Sequence, residues 1–155
     1  MKTEIDKSKG PGVYIPPPLL YVLTFIAAVM IQKRMPLSDA FFRTMRSRIA
    51  GIVLLLIALF FLFKSLRQFF VTKNTVILIK PARSLQTTGI YGVTRNPMYV
   101  GLSVVYLGIA CFIGNWWNII LFPLLLLVVQ EYVIKKEEKN LALEFGEAYT
   151  IYKKR

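Results

Sequence analysis

Three stretches of the chain, Leu19 to Gln32, Ile49 to Phe63 and Pro97 to Gln130, contain no Asp, Glu, Lys or Arg. Uncharged runs of this kind are too extensive for the core of a 155-residue soluble domain, and 55% of the chain is hydrophobic against 18% charged. A membrane span takes about 17 to 25 mostly apolar residues. The third run is long enough to cross, turn at Gly114-Asn115 and cross back. The first two reach span length with their flanks, Tyr14 to Pro18 and Lys64 to Val71. The pattern predicts an all-α polytopic membrane protein with about four transmembrane helices, at 15–32, 47–70, 97–113 and 116–134. A cytoplasmic helical tail follows over 135–155, and a polar arm over 1–13 is expected to be disordered, all within one domain, 1–155.

The first run follows Lys2, Lys7 and Lys9, as a signal peptide would, but the sequence after it, Gln32-Lys33-Arg34-Met35-Pro36, offers no small-residue cleavage site. A retained anchor is the expectation. Pro16 to Pro18 suit a helix start, where N–H groups lack partners. Asn96-Pro97 has the same signature, and Gly146 marks a break in the tail. In the tail, Glu131 and Glu138 are seven apart and are expected to share a helix face. "TVILIK", 75–80, alternates too weakly to specify a strand.

The net charge of +12 would suggest nucleic acid in a soluble protein. Here the cations flank apolar runs, so membrane lipids are the expected partners and nucleic acid is not. The arm, the 64–97 connection and the tail hold fifteen of the 20 Lys and Arg residues, the 33–48 connection holds five, and the Gly114-Asn115 turn none. The cation-rich side is expected to be cytoplasmic, in the inner membrane if the cell is bacterial. The 33–48 connection, with "DAFFRTMRSR", reads either as an amphipathic surface helix or as an early start of the second span.

The chain has no histidine and one cysteine, Cys111, so an internal disulfide is excluded and no metal site is expected. Its chemistry must run on carboxylates, arginine, tyrosine or a cofactor. Arg95, Asn96 and Pro97 stand together at the mouth of the third span, and Glu137 and Glu138 lie just beyond the fourth. Because those spans form a hairpin, the two clusters fall at one interface. Each has a plain structural reading, an interfacial helix start for one and a solvated charge stripe for the other. Together they form a polar roof over an apolar pocket.

"TTGIYGVTRNPMYVG", 87–101, resembles the signature T-x-G-x-Y-x-x-x-R-H/N-P-x-Y-x-G of the integral-membrane methyltransferases, the group holding isoprenylcysteine carboxyl methyltransferase and the phospholipid N-methyltransferases. "EEKNLALEFGEAYTIYKKR" is similar to the second signature of that group, carried here by Glu137, Glu138, Leu141, Phe145, Gly146, Tyr149 and Tyr152. The resemblance covers roughly residues 60–155. It implies S-adenosyl-L-methionine as methyl donor and a lipid-like or prenylated acceptor, an isoprenylcysteine-type carboxylate or a phospholipid amine. It places cofactor binding at Thr88, Gly89, Tyr91, Arg95, Pro97, Tyr99, Gly101, Glu137 and Glu138, and catalysis at Arg95, Asn96, Tyr99 and Glu138. Relatives often carry histidine where this chain has Asn96; asparagine keeps the cap but cannot act as a base. No Gly-rich dinucleotide fingerprint is present. Competing readings are an NADPH-dependent, sterol-reductase-like enzyme, a four-span transporter, and a non-enzymatic four-span protein. Against the transporter, the first three runs hold no acidic residue at mid-membrane.

Overall fold

The structure, a computed structural model, describes residues 11–72 and 84–154. The weak strand pattern at 75–80 and most of the arm lie outside the described residues. Helix α1 spans Pro17–Arg34, α2 Met45–Val71, α3 Pro97–Ile113 and α4 Trp116–Val128. A π-helical segment, Val129–Ile134, then leads into α5, Lys135–Phe145, so that helical backbone continues from Trp116 to Phe145. A short 3-10 turn, Gly89–Gly92, precedes α3, and α6, Glu147–Lys153, ends the described chain.

Local chemistry sets these boundaries. Pro17 opens α1 and Pro97 opens α3, positions where the missing N–H costs nothing. Thr44 caps α2 by accepting from Ser47 N–H. Gly114 adopts φ 70°, a left-handed conformation that ends α3, and the Asn115 side chain then caps α4 by accepting from Trp117 N–H at 2.9 Å. The hairpin expected at Gly114-Asn115 is therefore built by a stop and a start one residue apart.

Helix α2 lies along α3, and α1 packs against α4, α3 and the π segment. The α2–α3 approach is close because glycines line it. A Cβ on Gly108 would lie 2.9 Å from Leu55 Cδ2 and 3.3 Å from the Gly51 carbonyl oxygen, and one on Gly101 would lie 2.7 Å from Leu62 Cδ2. Small residues that let backbones approach are the usual means of packing apolar helices in lipid, where dispersion replaces the hydrophobic drive.

The buried core holds Val13, Tyr21, Tyr99, Tyr106, Leu125, Val129 and Val133. Its tyrosines bury their rings while their hydroxyls find partners. Tyr106 donates to the Asn118 carbonyl at 3.2 Å and to Asn118 Oδ1 at 3.1 Å, and the Tyr21 hydroxyl meets Ser103 Oγ at 2.9 Å. At one end of the bundle, Trp117 Nε1 donates to the Met35 carbonyl and Phe42 packs on Trp116. At the other end, Ile15 N–H donates to the Tyr132 hydroxyl.

Two expectations need correction. The fold class expected about four transmembrane helices and a cytoplasmic C-terminal helix. Among the described residues, two helices are long and apolar enough to cross a membrane, Met45–Val71 and Trp116–Phe145. Helix α1 has 18 residues but begins Pro17-Pro18 and ends Gln32-Lys33-Arg34, which shortens its apolar stretch; α3 stops at 17 residues because Gly114 ends it. Past 134, α5 continues the preceding helical rod to Phe145, and α6 follows the break at Gly146. The two long helices carry mostly exposed apolar side chains, such as Leu56, Phe63, Leu124 and Leu127, which supports a membrane-associated location.

The second correction concerns phase. A π turn takes more residues than an α turn and rephases whatever follows it. Glu131, before α5, stays at the surface in an ion pair with Lys135, whereas Glu138 turns toward Arg95. The seven-residue spacing therefore does not give the two glutamates one environment. Val13, at the end of the expected disordered arm, is 2% exposed and belongs to the core. The 33–48 ambiguity resolves as an early start: α2 begins at Met45.

Gly108→Val is expected to destabilise the fold by about 1–3 kcal/mol through overpacking against Leu55 and the Gly51 carbonyl. Thermal unfolding in a mild detergent measures this. An unchanged midpoint would mean that the α2–α3 spacing is not set by that glycine.

Candidate active site

The connection between α2 and α3 ends in the sequence Thr94-Arg95-Asn96-Pro97, and the first turn of α3 faces α5 and α6. Three elements thus bring charges together. Arg95 Nη2 lies 3.4 Å from Glu138 Oε1, and Lys153 Nζ lies 2.7 Å from Glu138 Oε2. Arg95 Nη1 also reaches the Lys153 carbonyl at 3.5 Å. One turn into α3, the Tyr99 hydroxyl donates to Glu137 Oε2 at 2.9 Å. Successive glutamates of α5 are thus engaged by two different levels of α3.

Tyrosines tie the neighbouring elements together. Tyr152 donates its hydroxyl to the Tyr91 carbonyl at 2.6 Å, and the Tyr91 hydroxyl meets Ser65 Oγ of α2 at 2.8 Å. This chain of contacts ties α6, the 3-10 turn and α2 into one unit. Burial pushes the Tyr91 phenol up to about 12, against the lowering effect of Ser65. Tyr149 is likewise pushed up to about 12, first by burial and then by the nearby Glu138 carboxylate. Both stay protonated at neutral pH and are neutral hydroxyls rather than anions.

Of the residues singled out from the sequence, Arg95, Tyr99, Glu137 and Glu138 are brought together, with Pro97 buried at the head of α3 and Tyr91 joined through Tyr152. Asn96 occupies the N-cap position, but its side chain makes no capping hydrogen bond. Its backbone carbonyl instead accepts from Val100 N–H. Thr88 and Gly89 face elsewhere, toward Gln68 of α2: the Thr88 carbonyl accepts from Gln68 Nε2 at 3.0 Å, and a Cβ on Gly89 would lie 2.7 Å from Gln68 Oε1. Gly101 packs against Leu62 of α2. The resemblance-based set thus divides into a polar cluster and a group of helix-packing and loop-docking positions.

Sequence reasoning did not single out Lys153, Ser65 or Glu144. Glu144 Oε2 is buried with no hydrogen-bond partner among the described residues. Its signal was present, because Glu144 follows Glu137 by seven residues within one unbroken α-helix and so shares its face. Lys153 carried no such signal, since its approach depends on the break at Gly146, where φ is 53° and the chain turns from α5 into α6.

A sequence model of the phospholipid methyltransferase family matches residues 46–148, well over half of the chain. The chain belongs to that family. The matched region contains α2, α3, α4 and α5, and with them Arg95, Tyr99, Glu137 and Glu138. Among curated proteins, the chain is similar to a protein-S-isoprenylcysteine O-methyltransferase of Schizosaccharomyces pombe, 38% identical over 71 residues. That match covers 46% of this chain and 30% of the relative's length, so the chain spans under a third of the protein it resembles. No solved structure matches. Membership in the phospholipid methyltransferase family bears out the resemblance read from the two motifs.

Tyr152→Phe removes the hydroxyl that docks α6 on the Tyr91 carbonyl, leaving a buried acceptor without its partner. The expected loss is about 1–3 kcal/mol of stability. Denaturant or thermal unfolding would register it, and an unchanged stability would show that α6 is not held by this bond.

Proposed function

We propose that this family member is a membrane methyltransferase that moves a methyl group from S-adenosyl-L-methionine to a lipid-like acceptor. The observation that carries the reading is the convergence of Arg95, Glu138 and Lys153, with Tyr99 and Glu137 one turn away. The donor set suits the donor molecule. S-adenosyl-L-methionine bears a carboxylate, an ammonium and a ribose diol, which call for a guanidinium and carboxylates respectively. The Arg95–Glu138 pair is loose at 3.4 Å, and the buried Glu144 oxygen is an acceptor with no partner among the described residues. Both leave bonding capacity for a polar ligand.

In this reading Arg95 and the free N–H groups of the first turn of α3 hold the carboxylate. Glu138 takes the ammonium, with Lys153 positioning its second oxygen. Glu137, fixed by Tyr99, takes the diol. When bound, the cofactor supplies an electrophilic methyl on a sulfonium. The chain's own contribution is to orient reactants and exclude water, which is where most of the rate of such an in-line displacement arises. The tyrosines, neutral at physiological pH, serve that exclusion.

A carboxylate acceptor needs no base, because a carboxyl of pKa about 4 is already ionised. An amine acceptor must lose a proton first, and with no histidine in the chain that proton falls to a glutamate of α5, a tyrosine or interfacial water. The isoprenylcysteine-type carboxylate and the phospholipid amine both remain within this reading. Among the described residues, the end of the bundle holding Ile15, Arg95, Tyr132 and Lys153 gathers most of the cations. By the positive-inside rule we place it at the cytoplasmic face.

Incubating the purified chain with a membrane lipid extract and methyl-labelled S-adenosyl-L-methionine tests the proposal. Label should enter the organic phase, and the product names the acceptor. Glu138→Gln should slow incorporation by about tenfold or more, which corresponds to about 1.4 kcal/mol of lost transition-state binding. Absence of labelled lipid with folded protein and a complete extract would overturn the reading.

A further inference from the structure

On the outer side of α2 lies a second feature that the methyl-transfer reading does not use. A cavity of 540 Å³ opens between the last turns of α2 and the loop that docks on it, with Lys64, Arg67, Gln68, Thr88 and Val93 among its lining residues. Among the described residues, none of the lining side chains is acidic. Lys64 and Arg67 are three residues apart on one helix and so project to one side. They follow directly on the uncharged stretch that ends at Phe63, which places them at the edge of an apolar span.

The opposite wall is held in place by its own bonds. Gln68 Nε2 donates to the Thr88 carbonyl at 3.0 Å and to Gln86 Oε1 at 3.1 Å, and the Gln86 amide reaches Ser84 Oγ at 2.8 Å. Gly89, at φ 61°, lies against Gln68 Oε1 so closely that a Cβ would meet it at 2.7 Å. Phe60, Val71 and Val93 give the cavity apolar surface beside its two cations.

We propose that this cavity binds the headgroup of an anionic phospholipid from the surrounding bilayer. The phosphodiester is ionised at neutral pH, and a guanidinium with an ammonium beside it is the natural recognition pair for such a group. The apolar surface accommodates the glycerol and the first acyl carbons of the same molecule. A free phosphate would use the cations but not that surface. The site is separate from the candidate active site: Tyr91, buried between Ser65 of α2 and Tyr152 of α6, stands between them. The proposal does not depend on methyl transfer.

The test is a titration of the full chain in detergent micelles with three probes: a short-chain phosphatidylglycerol, the matching phosphatidylcholine, and inorganic phosphate. The phosphatidylglycerol is expected to bind about tenfold more tightly than either of the others. Lys64→Gln combined with Arg67→Gln should weaken that binding by about tenfold, while Lys33→Gln combined with Arg34→Gln, at the far end of α1, should leave it unchanged. Val93→Trp keeps the charge but fills the cavity, and it too should weaken binding. Thermal midpoints serve as the folding control. Equal loss in the Lys33/Arg34 variant, full binding by Val93→Trp, or inorganic phosphate binding as well as the lipid would each overturn the proposal.

Discussion

The candidate site depends on one demand: carboxylates placed beside apolar helices must have partners. Burying a carboxylate without a partner is costly, and the start of α3 supplies partners to Glu137 and Glu138. Tyr99 engages the first and Arg95 the second. That requirement fixes the relative height of α3 and α5, which in turn needs the tight Gly114 stop, the Asn115 cap and the glycine-lined α2–α3 contact. Helix α6 then folds back at Gly146 and adds Lys153 to the same carboxylate.

Much of this was legible in the sequence, because proline, glycine and asparagine carry strong backbone preferences that act locally. Pro17, Pro97, Gly114 and Gly146 stand at helix boundaries close to where their chemistry puts them. The meeting of Arg95 with the α5 glutamates was legible for a different reason, since a hairpin returns the chain to the interface it left. The π segment was not legible. Nothing in "VQEYVI" departs from ordinary helical composition, and its consequence, the separation of Glu131 from Glu138, follows only from the backbone. The number of spanning helices was misread although the bounds of the third were not: α3 has 17 residues, and α1 spends part of its 18 on Pro17, Pro18 and Gln32 to Arg34, so neither is both long and apolar enough. The packing role of Gly101 and the docking of Gly89 on Gln68 were also hidden, because a motif names residues without saying which side of the chain each serves.

The connection between α2 and α3 therefore serves two faces. Inward, Tyr91 and Arg95 belong to the polar cluster; outward, Thr88 and Gly89 border a cationic cavity against the last turns of α2. Gln68 and Ser65, one turn apart on α2, hold the two parts of the connection, the Thr88 carbonyl and the Tyr91 hydroxyl. A family signature that reads as one continuous motif is, in three dimensions, two structural tasks sharing a strip of backbone.

The central claim is that the guanidinium heading α3 and the carboxylates of α5 hold one small charged molecule. Calorimetric titration of the purified chain with S-adenosylhomocysteine addresses it most directly. The account predicts one saturable site per chain in the wild type, weakened by about tenfold or more in Arg95→Ala. Folded wild-type protein that takes up no ligand, or an Arg95→Ala variant that binds as tightly as wild type, would contradict it.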